Sequence, residues 1–260
     1  MIQVARKVTT VGGLLGIYAG HALIARTLIK DKKTRLQYFN KTVSAYTKKV
    51  LQTINCEIST PGFDPKIFEN ENFLIISNHL SYLDVLITSS VLPSCFVTSV
   101  DLGESKFLGT LAELGGALFV ERRHRGMIEQ DTKNLSDTLK DGFNLVLYPE
   151  GTSTNGEKVM PFKKSLLMSA VHAQKNILPV CIKYIEVDGE PFTVENRDRV
   201  CWYGDIPFAT HAANMMKTKH LKVELHFLDV IKVTPESTRH ELAEMAQAAI
   251  SAAYGNPLKV

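Results

Sequence analysis

From about residue 57 onward, short apolar runs alternate with segments of helical spacing. Phe73-Leu-Ile-Ile76 is a continuous apolar run of strand length, and 82–91 follows as a helix closed by Pro93. The alternation recurs. Cys95–Ser99 reads as a strand, 104–113 as a helix, Ala117–Glu121 as a strand, and 126–140 as a polar-faced helix ended by Asp141-Gly142. Asn144–Tyr148 is a further strand, 163–174 a helix, and Ile177–Ile185 and Val200–Tyr203 read as strands. Leu221–Phe227 alternates apolar residues with Lys222, Glu224 and His226, the pattern of a half-exposed strand, and a last helix is expected from about Pro235 to Tyr254. Strands interleaved with helices of this length predict an α/β fold: a mixed, largely parallel sheet flanked by helices on both faces, over residues 55–260.

Ahead of it, residues 1–54 read as two helices, about 3–29 and 33–54. The net charge of +3 hides an asymmetry, because residues 1–50 hold ten Lys and Arg against Asp31 alone, so the remainder is net acidic. Between these cations, Val11–Ala25 is nearly uncharged and rich in glycine. At about 15 residues it is shorter than the roughly 20 needed to span a bilayer, and no small-residue cleavage site follows it. An apolar helix flanked by Arg6, Lys7, Arg26 and Lys30–Arg35 suits one lying in a single leaflet with its cations on anionic headgroups. The two helices are therefore expected to be a membrane-associating segment, monotopic or peripheral on the cytoplasmic face of a membrane, such as a bacterial inner membrane. Nucleic acid is not the expected partner, since aromatic residues are not interleaved with these charges. Cys56, Cys95, Cys181 and Cys201 form no Cys-x-x-Cys pair and are read as reduced thiols, with no zinc or other metal site.

Three phrases carry candidate chemistry. In Asn78-His-Leu-Ser-Tyr-Leu-Asp84, His79 and Asp84 are about 500° apart on a continuous helix, so they meet only if the chain turns between them. Ser81-Tyr-Leu-Asp84 is a capping signature that supplies this turn, leaving His79 at the carboxyl end of the preceding strand. An Asp holding one ring nitrogen fixes the tautomer and lets the other take a proton from a hydroxyl. Pro149-Glu150-Gly151-Thr152 also follows a strand. Its glycine permits close backbone approach to a ligand, and Glu150 is a candidate acceptor for a polyol hydroxyl. Gly115–Arg125 delivers an arginine cluster, including Arg122, suited to an anionic headgroup.

In this order and spacing the phrases resemble the glycerolipid (lysophosphatidate) acyltransferase family, whose fold is glycerol-3-phosphate acyltransferase-like. Asn78, His79 and Asp84 match its Asn-His-x-x-x-x-Asp motif. Phe119, Val120 and Arg122 match its second motif, Tyr148 to Thr152 its third, and Ile177-Leu-Pro179-Val180 its fourth. The match covers about residues 73–185, and Trp202-Tyr203-Gly204 and Leu221–Phe227 also look like bacterial members. The resemblance implies that His79, oriented by Asp84, is the general base on an acceptor hydroxyl. That hydroxyl would attack the thioester of acyl-CoA or acyl carrier protein directly, with no acyl-enzyme and no cofactor. It implies that Glu150, Gly151 and Thr152 position the glycerol portion of a lysolipid, 1-acyl-glycerol-3-phosphate above all, with Asn78 also binding substrate and Arg122 on the phosphate.

Two departures bear on the acceptor. The family often has Arg after Gly-Thr where this chain has Ser153, and often Lys then Pro ahead of the second motif where this chain has Gly103 and then Lys106. Lys106, Arg123, Lys163 and Lys164 are the cations available to compensate. Otherwise the acceptor is a lysolipid with another head, such as lysophosphatidylcholine or lyso-ornithine lipid. An α/β hydrolase would need a Gly-x-Ser-x-Gly elbow, which is missing, and a non-catalytic membrane-binding module would not need both His79 and Asp84.

Overall fold

The computed structural model describes residues 2–121, 125–255 and 258. Among them, eight strands make one sheet: β1 (Cys56–Ser59), β2 (Leu74–Ser77), β3 (Cys95–Ser99), β4 (Leu118–Val120), β5 (Leu145–Leu147), β6 (Ile177–Val187), β7 (Glu190–Pro191) and β8 (Leu221–Phe227). Their order is β1-β8-β6-β2-β5-β3-β4, with β7 on β6. Neighbours run parallel except β8 and β7, which are antiparallel to β6. The sheet is mixed and mostly parallel, as expected.

The strands at its centre are the ones with unbroken apolar runs. β2 and β5 are buried throughout, because both faces of a parallel sheet lie under helices. Leu74, Ile75 and Ile76 stand opposite Leu145, Val146 and Leu147. These two strands therefore end side by side, and the segments that follow them, 78–81 and 148–152, emerge at one sheet edge.

Helices α1 (Ile2–Leu28) and α2 (Lys32–Ile54) pack against each other, joined where Asp31 accepts the Thr34 N–H at 2.7 Å and caps α2. Leu36, Val50, Leu51 and Ile54 of α2 belong to the main core, and α2 packs on α3 (Tyr82–Val91). One face of α1, through Val11, Tyr18, Ala22 and Ala25, is buried. On the same face, the Lys7 ammonium donates to the carbonyls of Ile54 (3.1 Å) and Thr218 (2.7 Å). That gathers the last carbonyl of α2 and a loop carbonyl onto one cation.

Several expected elements differ. Of the 104–113 helix only the second half forms, as α5 (Leu108–Leu114), folded back on a separate short helix α4 (Val100–Gly103); residue 109 lies against the Gly103 carbonyl, an approach only glycine permits. Between α6 (Arg125–Lys140) and β6, the 163–174 helix is reduced to a 3₁₀ turn at Ser165–Leu167 and α7 (Met168–Ala173), ended by Gln174 at φ 52°. Val200–Tyr203 is not a strand: the Val200 and Cys201 N–H groups bond back to Arg197 in a 3₁₀ turn, and the Trp202 N–H bonds to Leu80. The apolar segment 208–215 forms a helix, α8 (Phe208–Met215). The last helix, α9 (Arg239–Tyr254), starts four residues after Pro235, because the Thr238 hydroxyl caps it by accepting the Glu241 N–H. The edge strand β1 was not foreseen.

Candidate active site

The turn between β2 and α3 brings His79 and Asp84 together. Asp84 Oδ2 lies 2.8 Å from His79 Nδ1 and also accepts the N–H groups of Leu80 (2.6 Å) and Ser81 (2.8 Å). The carboxylate is fully buried, while 18% of the His79 side chain is exposed. With Oδ2 already accepting two backbone donors, the imidazole supplies the hydrogen of the third bond. Nδ1 is thus the protonated nitrogen, and Nε2 keeps its lone pair. The Tyr148 ring stacks on the imidazole, centroids 4.2 Å apart at 16°, and limits its rotation.

Asp84 Oδ1 receives a further bond that the sequence did not reveal, from the hydroxyl of Tyr184 on β6 at 2.7 Å. Tyr184 stands in an apolar strand run, where its ring alone explains its presence. The distinguishing feature is a register irregularity in the β6–β8 pairing between Tyr184 and Glu186, and no sequence pattern marks it.

Asn78 is 2% exposed and turns inward. Its amide nitrogen donates to the Ile182 carbonyl (2.9 Å) and its amide oxygen accepts the Ile182 N–H (2.8 Å). The side chain thus extends the β2–β6 ladder by one rung after β2 ends. It locks the start of the His79 turn to the neighbouring strand, and both polar ends of its amide face protein backbone.

Glu150 is likewise mostly enclosed, at 5% exposure. One oxygen accepts the His79 N–H (2.7 Å) and the other the Met160 N–H (2.7 Å). It therefore bridges the dyad's own turn to the far side of the 149–164 loop. Burial, with a smaller contribution from the Asp84 charge, pushes its carboxyl up to about 7 against the pull of those two hydrogen bonds. The same loop is tied to the His79 carbonyl by the Thr154 N–H (2.9 Å), and to α9 by Tyr254, whose hydroxyl donates to the Gly156 carbonyl (2.7 Å). Ser153, where the family often has arginine, donates its hydroxyl to the Trp202 carbonyl. The Trp202 N–H donates to the Leu80 carbonyl at 2.9 Å, so the segment expected to be a strand instead staples both turns together.

At the exposed end of the turn, Gly151 has φ +78°, and the Lys163 side chain lies over it. A Cβ at this position would stand 2.8 Å from Lys163 Cε. Gly151→Ala is expected to cost about 1–3 kcal/mol in denaturant unfolding through backbone strain, and to displace Lys163. A wild-type midpoint would contradict this. The Thr152 hydroxyl beside it is exposed. Lys106 is exposed in the link between α4 and α5. The neighbouring Phe107 ring reaches Phe208, which packs on Tyr82 and Trp202. Arg122 and Arg123 lie outside the described residues. Among those described, no cluster of His, Cys, Asp and Glu has the arrangement of a metal site.

The arrangement is a buried carboxylate holding an imidazole whose second nitrogen has no hydrogen-bond partner among the described residues, beside a glycine turn covered by a lysine. Comparison with known proteins identifies the family. The model of a family described as Acyltransferase matches residues 26–183. A protein of Brucella abortus named lyso-ornithine lipid O-acyltransferase is 30% identical over 195 residues, 72% of this chain and 73% of its own length. One of Neisseria gonorrhoeae named 1-acyl-sn-glycerol-3-phosphate acyltransferase is 27% identical, over 69% of this chain and 68% of its own. The crystal structure of the 1-acyl-sn-glycerophosphate acyltransferase PlsC from Thermotoga maritima superposes with a TM-score of 0.65 at 19% identity, covering 97% of this chain and 93% of that one, a likeness of fold. With more than half of its length matched by the family model, the chain belongs to the acyltransferase family, and its relatives include acyltransferases named for lysophosphatidate and for lyso-ornithine lipid.

Proposed function

We propose that the protein transfers a fatty acyl group from acyl-CoA or acyl carrier protein to the sn-2 hydroxyl of 1-acyl-glycerol-3-phosphate, with His79 as general base. The observation that carries this reading is the 2.8 Å contact of His79 Nδ1 with a carboxylate oxygen already filled by two backbone donors. Nε2 takes the hydroxyl proton as the oxygen attacks the thioester carbonyl. The C–S bond then breaks, and the imidazolium returns the proton to the thiolate. No side chain is acylated. Exposed Thr152 and Lys163 are the groups placed to meet the acceptor's glycerol and phosphate, Lys163 supplying the cation that Ser153 does not.

Ser153 favours one second reading, in which the acceptor is lyso-ornithine lipid. Its hydroxyl is engaged by Trp202 and adds no charge for a phosphate. Thiol release from palmitoyl-CoA, with each lysolipid in turn, separates the two. Preference for lysophosphatidate, lost in Lys163→Ala, supports the first reading; preference for lyso-ornithine lipid, indifferent to Lys163, replaces it.

In this reading α1 seats the chemistry at a lipid surface. Ile17, Ile24 and Leu28 are 56%, 57% and 75% exposed, on a flank of α1 about 110° around from Val11, Tyr18, Ala22 and Ala25. A helix apolar on two flanks but covered by protein on one has the other fitted to lipid. Because α2 is part of the core, truncation would test folding rather than attachment. Ile17→Glu with Ile24→Glu is expected to reduce cosedimentation with anionic vesicles by about tenfold or more, whereas undiminished cosedimentation would refute this seating.

A further inference from the structure

Among the described residues, Tyr184 is the side chain that hydrogen-bonds Oδ1 of Asp84, and it comes from a different element than every other partner of that carboxylate. Oδ2 is surrounded by donors from the β2–α3 turn itself, so that turn alone would leave the carboxylate free to pivot about Oδ2. Such a pivot would swing the plane of the acceptor relative to the imidazole. The Tyr184 hydroxyl, 2.7 Å from Oδ1, closes off this motion from the opposite side. The strand is shaped for the purpose: β6 loses its register with β8 just after Tyr184, the kind of irregularity that re-aims a side chain in a sheet.

We propose that Tyr184 is a positioning residue for acyl transfer, holding the Asp84 carboxylate in the plane that fixes His79 without itself touching either substrate. The inference rests on the reading of His79 as the base. The ring is 2% exposed, beneath the carboxylate and away from solvent. Burial, and then the Asp84 charge, hold its phenol far above the ordinary range, so it stays a donor at any pH at which the enzyme works. The other titratable groups that face it are the Cys201 and Cys56 thiols. Both are themselves raised by burial, Cys56 to about 12, and so remain neutral there.

The test is a double-mutant cycle in the full-length, detergent-solubilised protein, with palmitoyl-CoA and the preferred lysolipid. Tyr184→Phe keeps the ring and removes only the donor. It is expected to lower kcat about tenfold, the loss typical of a hydrogen bond to a charged group, with the KM of both substrates unchanged. On an Asp84→Ala background the same change is expected to have little further effect, because Tyr184 acts through that carboxylate. Unchanged kcat in Tyr184→Phe overturns the proposal. So does a loss that multiplies fully with that of Asp84→Ala, or one that appears in KM, since each would mean that Tyr184 acts elsewhere. His79→Ala, assayed alongside, keeps the two ideas separable: full activity there removes the reading of His79 and the role of Tyr184 with it, while a dead His79→Ala beside a fully active Tyr184→Phe removes the role of Tyr184 alone.

Discussion

His79→Ala is expected to lower acyl transfer by about a hundredfold to ten-thousandfold, the range that a positioned general base contributes. The size of the effect follows from what remains. Without the imidazole, the acceptor hydroxyl must lose its proton to water, because the carboxylates described around the turn are buried against other donors. Asp84 is fully buried behind His79 with both oxygens occupied, so it does not substitute. Glu150 likewise faces two backbone donors. Asp84→Asn separates charge from orientation, because its carbonyl oxygen is able to take the place of Oδ2 while its NH₂ donates to Tyr184. A smaller loss than in His79→Ala is expected. Thiol release, together with a melting curve for each variant, checks both results. If His79→Ala turns over at the wild-type rate, the dyad is structural.

The second large effect concerns Glu150 and pH. An unfolded glutamate titrates near its ordinary value of 4.5, whereas burial raises Glu150 to about 7 in the fold. Between those values the folded protein holds a proton that the unfolded chain has released. Stability from this group is therefore fully present below about pH 4.5 and declines as pH rises to about 7, beyond which it is flat. The difference amounts to about 3 kcal/mol. Denaturant unfolding at pH 5 and pH 8 is expected to show this fall in wild type and not in Glu150→Gln. The same substitution sets an NH₂ group against one of the two N–H donors, so kcat is expected to fall by about tenfold or more even where stability rises. Parallel stability curves for the two proteins would show that the carboxylate is not desolvated as described. The two readouts move in opposite directions above pH 7, which a simple loss of folding would not produce. A carboxylate that costs stability while tethering the His79 turn is a local conflict of the kind found at functional sites.

What could be read in the chain divides along physical lines. Leu74–Ser77 and Leu145–Leu147 were legible because strands buried on both faces leave continuous apolar runs. The meeting of His79 with Asp84 was legible because a Ser-x-x-Asp cap turns the chain at a known place. Val200–Tyr203 misled because an apolar, aromatic loop that staples two turns by its backbone has the composition of a strand. Cys56–Ser59 was passed over because it is short and alternates without a clear apolar face, and it becomes a strand only through its pairing with Leu221–Glu224. The inward orientation of Asn78, the bridging by Glu150 and the bond from Tyr184 all depend on contacts across 70 to 100 or so positions of sequence. No local period reports such contacts. The covering of Gly151 by Lys163 was accessible only as a short inventory of cations, and the structure selects among them by proximity.

The most direct test of the account is formation of diacyl lipid, followed by mass spectrometry, from a defined lysolipid and palmitoyl-CoA or palmitoyl-acyl carrier protein, by wild type and by His79→Ala under the same detergent conditions. The account predicts an sn-2 ester in the wild-type reaction with lysophosphatidate, and product reduced by at least about a hundredfold in the variant. Equal product from both proteins would contradict it.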